Sequence, residues 1–191
     1  MKIEKENSEK EKGNSVAWKL FIGWGTKEVA TMAIVIALNS MLIIAFNPIS
    51  WGPMQFRIAE IITVPMYMAF GYVGAIALLL SSFVTVWFVP GGMVAGEFLW
   101  NWAMFLFWGI VPVMIVKRLK RTTTSYQITA LYTAVCTAIW VPTMLQMMWD
   151  VPFVVTFLPI LASEIITMNI LGYALWKGIS KRLRSVIPEL H

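Results

Sequence analysis

The chain has few of the residues that soluble enzymes use for chemistry. Its 191 residues include one cysteine and one histidine, and charged residues make up 13% of the total, against about 25% in soluble domains. Cys136 has no second cysteine for a disulfide or a Cys-x-x-Cys metal site. No HExxH, GxSxG or GxxxxGK motif occurs. We therefore expect a protein that is not an enzyme, has no cofactor of its own and does not hydrolyse ATP by itself.

The chain is rich in long hydrophobic segments, and hydrophobic residues make up 59% of it. Two long stretches, residues 29–116 and 122–176, contain few charged residues, namely Arg57, Glu60, Glu97, Asp150 and Glu164. Several helices of roughly 20 apolar residues, the length that crosses a bilayer, fit within them. The sequence therefore predicts an all-α, multi-pass protein of the cytoplasmic membrane.

The basic residues mark the ends of the apolar segments. They cluster in the first 27 residues, at 117–121 and at 177–184, and Arg57 is the one exception. This distribution is the positive-inside pattern of membrane proteins, so we expect no nucleic-acid partner. With both termini cytoplasmic, the pattern requires an even number of spans. We predict a bundle of six transmembrane helices, at approximately 29–46, 57–70, 72–89, 97–116, 126–147 and 153–176.

The same pattern sets the predicted boundaries. Residues 1–28 form a cytoplasmic tail with an interfacial segment, residues 29–180 form the membrane domain, and residues 181–191 form a cytoplasmic C-terminal tail. The first span is expected to end before Asn47-Pro48, because a proline disfavours helix in the residue before it. A turn near residues 71–74 separates the second span from the third, and Pro65 makes the second span short, kinked or incomplete.

The candidate site consists of ionisable residues at membrane depth, where each charge costs roughly 2.5–3.5 kcal/mol on insertion scales. Arg57 and Glu60 are three residues apart and share a helix face, either as an ion pair or as ligand contacts. Glu97 opens the fourth span. Glu164 lies near the predicted midplane of the membrane, and no basic residue is close to it in sequence. We therefore expect a solute from outside to bind its carboxylate. An in-chain base beside Glu164 would count against that interpretation.

Amides and indoles accompany these acids in the predicted outer half of the bundle. The candidate contacts are Gln55, Trp100, Asn101 and Trp140. Aromatic faces together with carboxylates suit a planar, donor-rich heterocycle, such as the guanine edge. The indoles also fit an alternative role as anchors in the membrane interface.

Two alanines in the first span are candidates for a helix-docking strip. Ala33 and Ala37 are four residues apart, so they share a face that another helix can approach closely. Packing within the same chain explains the spacing equally well.

Two segments carry a family resemblance. The first begins at Asn47, runs through Pro-Ile-Ser-Trp-Gly-Pro-Met-Gln-Phe-Arg-Ile-Ala to Glu60, and continues as Ile-Ile-Thr-Val-Pro65. It resembles the signature of the QueT queuosine-precursor transporter family. The second, Ala162-Ser-Glu164-Ile-Ile, is similar to the segment around the acidic residue of that family's last helix. The resemblance covers roughly residues 29–180.

The resemblance implies the substrate-binding (S) component of an energy-coupling factor transporter. Such a subunit captures a 7-deazaguanine precursor outside and docks through Ala33 and Ala37 on a transmembrane coupling protein, while two cytoplasmic ATPases use ATP. It also implies Gln55, Arg57, Glu60 and Glu164 as binding residues. The alternatives are an S component for another vitamin or amine, a proton-coupled carrier, and an intramembrane enzyme that uses Glu60 and Glu164.

Overall fold

The structure is a computed structural model that describes residues 25–50, 56–85 and 95–186, with the side chains of Ser50, 95–98 and 181–186 left aside. The regular elements in these three stretches are all helical. The expected all-α fold is thus confirmed for the described residues. Contacts divide the chain into two compact units, Met1–Thr31 and Met32–His191. The bundle packing belongs to the second unit.

Eight α-helices are described. In chain order they are α1 (Thr26–Ser50), α2 (Thr63–Phe70), α3 (Tyr72–Thr85), α4 (Ala95–Phe105), α5 (Val111–Leu119), α6 (Thr123–Trp149), α7 (Phe153–Glu164) and α8 (Gly172–Val186). A 3₁₀ helix, Ile58–Ile62, leads into α2. Two π-helical segments, Leu106–Ile110 and Ile165–Leu171, join α4 to α5 and α7 to α8. Each of these two pairs is therefore one long, continuous helix.

Four helices among the described residues are long and apolar enough to cross a membrane. They are Thr26–Ile49, Leu99–Leu119, Thr123–Trp149 and Phe153–Ser180. Two more apolar helices, Ile58–Phe70 and Tyr72–Thr85, have between 10 and 17 residues. At about 1.5 Å per residue, these two are shorter than the ~30 Å hydrocarbon core. The chain is therefore a multi-pass membrane protein, while the count of six spans and the orientation of the termini stay predictions.

The end of the first span differs from the sequence-based expectation. Helix α1 continues through Pro48 to Ser50 instead of ending before Asn47. A proline near the end of a helix removes only one backbone hydrogen bond, and in a lipid environment the alternative is to leave several backbone groups unpaired. The same tolerance explains Pro142 within α6 and Pro159 within α7.

The turn expected between residues 71 and 74 lies at Gly71. This glycine ends α2 with φ at 57°, a conformation that favours glycine, and its backbone N–H donates to the carbonyl of Tyr67 at 3.1 Å. Helix α3 begins at the next residue. The expected turn is therefore confirmed, and the result is a tight pair of short helices.

Small residues let the helices of the core approach closely. Three alanines on one face of α6, at positions 130, 134 and 138, are completely buried. Gly172 follows the second π-helical segment, and a Cβ atom there would lie 2.8 Å from the carbonyl oxygen of Ile61. The absence of a side chain at Gly172 thus lets the last long helix touch the backbone of the 3₁₀ helix.

Tyrosine hydroxyls bind backbone carbonyls in both π-helical segments. The hydroxyl of Tyr67 donates to the carbonyl of Trp108 at 2.7 Å, and that of Tyr126 donates to the carbonyl of Met168 at 3.0 Å. Both tyrosines are completely buried. A change from i→i+4 to i→i+5 hydrogen bonding disturbs the regular backbone pattern, and lipid hydrocarbon offers no donors to the carbonyls concerned. The two tyrosine hydroxyls supply these donors.

Candidate functional site

Three charged side chains from distant parts of the chain meet in the bundle. The guanidinium of Arg57 contacts two carboxylates, with its Nη2 atom 2.8 Å from Glu60 Oε1 and its Nε atom 3.0 Å from Glu164 Oε1. Glu164 is completely buried, while the side chains of Arg57 and Glu60 are 30% and 22% exposed. The charged cluster, defined as Arg57, Glu60 and Glu164, therefore extends from a partly exposed edge to a fully buried acid.

The 3₁₀ helix and α7 position the cluster. Arg57 directly precedes the 3₁₀ helix, and its backbone N–H donates to Ser163 Oγ at 3.0 Å. Ser163 adjoins Glu164 at the end of α7, so this bond brings the start of the 3₁₀ helix beside the buried acid. Gly172 supports the same contact from the far side of the π-helical segment, where it permits the approach of Ile61.

The two carboxylates differ in how completely the protein satisfies them. Both oxygens of Glu60 are engaged, because Oε1 contacts Arg57 and Oε2 accepts a hydrogen bond from Thr63 Oγ1 at 2.6 Å. Glu164 contacts Arg57 through Oε1, but its Oε2 atom has no hydrogen-bond partner among the described residues. Since an unsatisfied buried polar atom is costly, Glu164 Oε2 is the atom in this cluster that most needs a partner.

The ion pair with Arg57 corrects the expectation for Glu164. Sequence distance suggested that no base lies near this acid, yet the fold brings Arg57 to it across more than 100 positions. The acid is also completely buried within the protein. One guanidinium nevertheless meets two carboxylates, so the cluster keeps an excess negative charge when both acids are ionised.

Two indoles, Trp100 on α4 and Trp140 on α6, belong to a hydrophobic cluster that also contains residues of α7. The rings of Trp100 and Trp140 are 4.9 Å apart at an interplanar angle of 40°, and Trp140 packs in a cluster that includes Ile160. Ile160 precedes Glu164 by four residues and so shares its helix face. The Nε1 atom of Trp100 is buried and has no hydrogen-bond partner among the described residues. The indole pair thus presents a buried N–H donor that lacks a partner among the described residues.

The structure describes the other three predicted site residues only in part. Asn101 is partly buried on α4, next to Trp100. Gln55 lies outside the described residues, and Glu97 is in the first turn of α4 with its side chain outside the described part. The structure therefore brings together Arg57, Glu60 and Glu164, and it pairs Trp100 with Trp140.

Two hydroxyl residues were not among the predicted site residues. Thr63 holds Glu60 and Ser163 holds the backbone of Arg57. Thr63 follows Glu60 by three residues, a spacing at which helical side chains meet, so that signal was present in the sequence. The contact of Ser163 depends on a segment more than 100 residues away, and no local pattern indicates it.

Helix α1 presents Ala33 and Ala37 on its exposed side. Its buried side faces α3, where the side-chain amide of Asn39 donates to Ser81 Oγ. Val35 lies on the buried side as well, at 2% exposure. Ala33 and Ala37 consequently lie on the surface of the described bundle, and their role in docking stays a prediction.

Comparison with known proteins gives one family. A family model described as QueT transporter matches residues 29–181, which is most of the chain. Searches of curated proteins and of solved structures return no match. The matched range contains the charged cluster, the indole pair and both exposed alanines, and it confirms the resemblance found in the two sequence segments.

Proposed function

The chain belongs to the QueT transporter family, and from this premise we propose that it is the substrate-binding component of an energy-coupling factor importer. Its ligand is a 7-deazaguanine precursor of queuosine, captured from outside the cell. The single observation that carries this proposal is the buried Glu164, whose Oε2 atom has no partner among the described residues. A buried acid at membrane depth is a mark of a substrate or ion pathway.

The chemistry of the cluster fits a purine-like edge. A carboxylate accepts two parallel hydrogen bonds from the N1–H and the exocyclic amine of a guanine-type ring. Glu164 is suited to this role because its Oε2 atom is unsatisfied and its Oε1 atom can accept a second hydrogen bond beside its contact with Arg57. The indoles of Trp100 and Trp140 offer aromatic surface, and the Trp100 N–H offers a donor for a ring carbonyl.

Transport requires partner proteins in this proposal. The exposed alanines of α1 dock on a transmembrane coupling protein, because small side chains let a second helix approach closely. Two cytoplasmic ATPases supply the energy. The ligand affinity must differ between the outward-facing subunit and the subunit held in the complex, since a bound partner shifts an equilibrium only through differential affinity.

The experiment that tests the binding function uses the purified chain without partners. We expect mass spectrometry to find a 7-deazaguanine that co-purifies with the protein, and calorimetry to show at least tenfold weaker binding for Glu164→Gln. The matched control is Asp150→Asn, which removes the same charge from an exposed acid at the end of α6. Absence of binding by the original chain, or equal loss in both variants, contradicts the proposal.

Uptake assays separate this function from the alternative of a carrier that acts alone. Cells that lack the coupling protein and ATPases should show no uptake of the ligand, whereas a proton-coupled carrier continues to transport. Replacing Ala33 and Ala37 with tryptophan should abolish uptake in complete cells while ligand binding by the purified variant persists. Loss of binding in that variant would show instead that the two alanines pack within the protein.

A further inference from the structure

Five described basic residues lie where α5 turns into α6 and in α8. We call them the basic end: Lys117, Arg118, Lys120, Arg121 and Lys177. On α8, Tyr173 precedes Lys177 by four residues and shares its helix face. The hydroxyl of Tyr173 donates to Thr123 Oγ1 at 3.4 Å, and its ring lies 5.3 Å from that of Tyr126. The basic part of α8 therefore lies beside the start of α6.

The basic end has no acidic residue close to it in sequence. Residues 98–149 and 165–188 contain none, and the continuation of α8 adds three more bases, Lys181, Arg182 and Arg184. By contrast, the first 28 residues combine six lysines with five glutamates. Lys117 and Lys177 are exposed and form no ion pair with a carboxylate that the structure describes. The excess positive charge of the chain is thus concentrated at the basic end.

An aromatic ring holds Lys117 in place. Its Nζ atom lies 4.0 Å from the ring centroid of Tyr72, the first residue of α3. The turn before Tyr72 packs against α5, because a Cβ atom at Gly71 would lie 3.8 Å from Val113 Cγ1, one turn before Lys117. A cation–π contact orients an ammonium group but does not neutralise it. Lys117 is therefore a positioned cation that still lacks an anion.

Exposed apolar side chains adjoin the basic end along the same helices. On α5, Met114 is 40% exposed and lies one turn before Arg118. In the last long helix, Ile170 is 59% exposed and precedes Lys177 by seven residues. Apolar side chains followed by cations match the two parts of a phospholipid, which are its acyl chains and its phosphate.

We propose that the basic end binds the phosphate groups of acidic phospholipids, in the leaflet that the charge pattern predicts to be cytoplasmic. Lys117 and Lys177 contact the headgroup, while the acyl chains lie along Met114 and Ile170. The occupant is a lipid because the cations directly follow apolar side chains that are exposed within the membrane spans, which sets the cations at the level of the phosphates. The proposal goes beyond ligand capture and does not depend on it.

The test measures lipid binding to the purified full-length chain in a neutral detergent by native mass spectrometry. The two probes are phosphatidylglycerol and phosphatidylcholine with identical acyl chains. Phosphatidylglycerol should bind about tenfold more tightly, the scale expected for one or two basic residues beside an anionic lipid. This preference should fall as the salt concentration rises, because salt screens exposed charges. Equal affinity for the two lipids, or a preference that salt does not change, overturns the proposal without any variant.

Substitution then assigns the preference to the basic end. Lys117→Gln/Lys177→Gln should reduce it to less than about threefold. The matched control Lys10→Gln/Lys12→Gln removes the same charge from the N-terminal segment and should keep it, with thermal unfolding as the check that both variants fold. Equal loss in both variants shows that net charge attracts the lipid, and it contradicts the assignment to the basic end. Full retention in the first variant contradicts it as well.

A protein partner is the other occupant that this surface could have. The original chain would then show no preference for phosphatidylglycerol, while Lys117→Gln/Lys177→Gln would fail to assemble with the membrane and ATPase partners of the proposed function. That pair of results overturns the lipid proposal and assigns the basic end to protein contact.

Discussion

Two polar groups that involve the last long helix, through Glu164 and Asn169, differ in character. The charged cluster joins Glu164 to Arg57 and Glu60, and one carboxylate oxygen is left without a described partner. The other group, the amide pair, consists of Gln127 on α6 and Asn169 in the π-helical segment. In the amide pair, Asn169 Nδ2 donates to Gln127 Oε1 at 2.9 Å and Gln127 Nε2 donates to the carbonyl of Asn169 at 3.4 Å.

The two groups differ mainly in charge. The amide pair uses both of its side-chain NH₂ groups within the protein and carries no net charge, so it acts as an interhelical link, although Asn169 Oδ1 has no hydrogen-bond partner among the described residues. The charged cluster has two acids for one base and an unsatisfied oxygen on its most buried member. Loss of the amide pair should therefore weaken folding alone, whereas loss of the charged cluster should weaken both folding and ligand binding.

The largest expected effect comes from removing the base of the charged cluster. Arg57→Gln leaves Glu164 buried without a cation, so the free energy of unfolding should fall by about 3 kcal/mol, the lower end of the range for broken buried ion pairs, because Arg57 is partly exposed. The double variant Arg57→Gln/Glu164→Gln should regain much of this loss. Thermal unfolding in detergent measures both. If the double variant is no more stable than the single one, the two charges are not coupled.

A smaller effect is expected at the amide pair. Asn169→Ala removes the partner of Gln127, and the free energy of unfolding should fall by about 1 kcal/mol, the scale of hydrogen bonds between membrane helices. Ligand affinity should remain within about twofold, since this link lies outside the charged cluster. The control Gln146→Ala removes an exposed amide from α6 and should change neither quantity. A large loss of affinity in Asn169→Ala would place the amide pair in the binding site.

The smallest expected effect is on ligand affinity, at the indole N–H of Trp100. Trp100→Phe keeps an aromatic ring but removes the buried Nε1 donor, so ligand affinity should fall about threefold, the equivalent of roughly 0.7 kcal/mol for one hydrogen bond. Trp102→Phe is the matched control, because Trp102 is 47% exposed on the same helix, and it should leave calorimetric affinity unchanged. Equal effects of the two substitutions would assign Trp100 a packing role only.

Local spacing and charge patterns predicted part of this arrangement. The contact between Arg57 and Glu60 follows from their three-residue separation, and the turn at Gly71 follows from the side of the membrane on which basic residues stay. The predicted end of the first span was wrong. A proline disfavours helix in the residue before it, but this preference carries less weight where lipid offers the backbone no other hydrogen-bond partner.

Local patterns could not predict contacts between residues that are far apart in the sequence. Nothing local indicates that Arg57 meets Glu164 or that Ser163 binds the backbone of Arg57, because both contacts depend on how α7 packs against the 3₁₀ helix. The choice of Glu164 as a candidate site residue relied on the cost of a charge in hydrocarbon, which does not require knowledge of the neighbours. The ion pair of Glu164 with Arg57 could be found only from the folded structure.

The π-helical segment that follows Glu164 has a consequence for the phase of the last helix. Each residue of a regular α-helix advances about 100° around the axis, so wider turns between Ile165 and Leu171 rotate everything after them relative to α7. A helical wheel drawn straight from Phe153 to Val186 therefore assigns the wrong side to the second half. Deleting one residue within this segment would restore regular winding and leave Gly172 close to its present phase, whereas α-helical winding of the complete segment would turn Gly172 away from the backbone of Ile61.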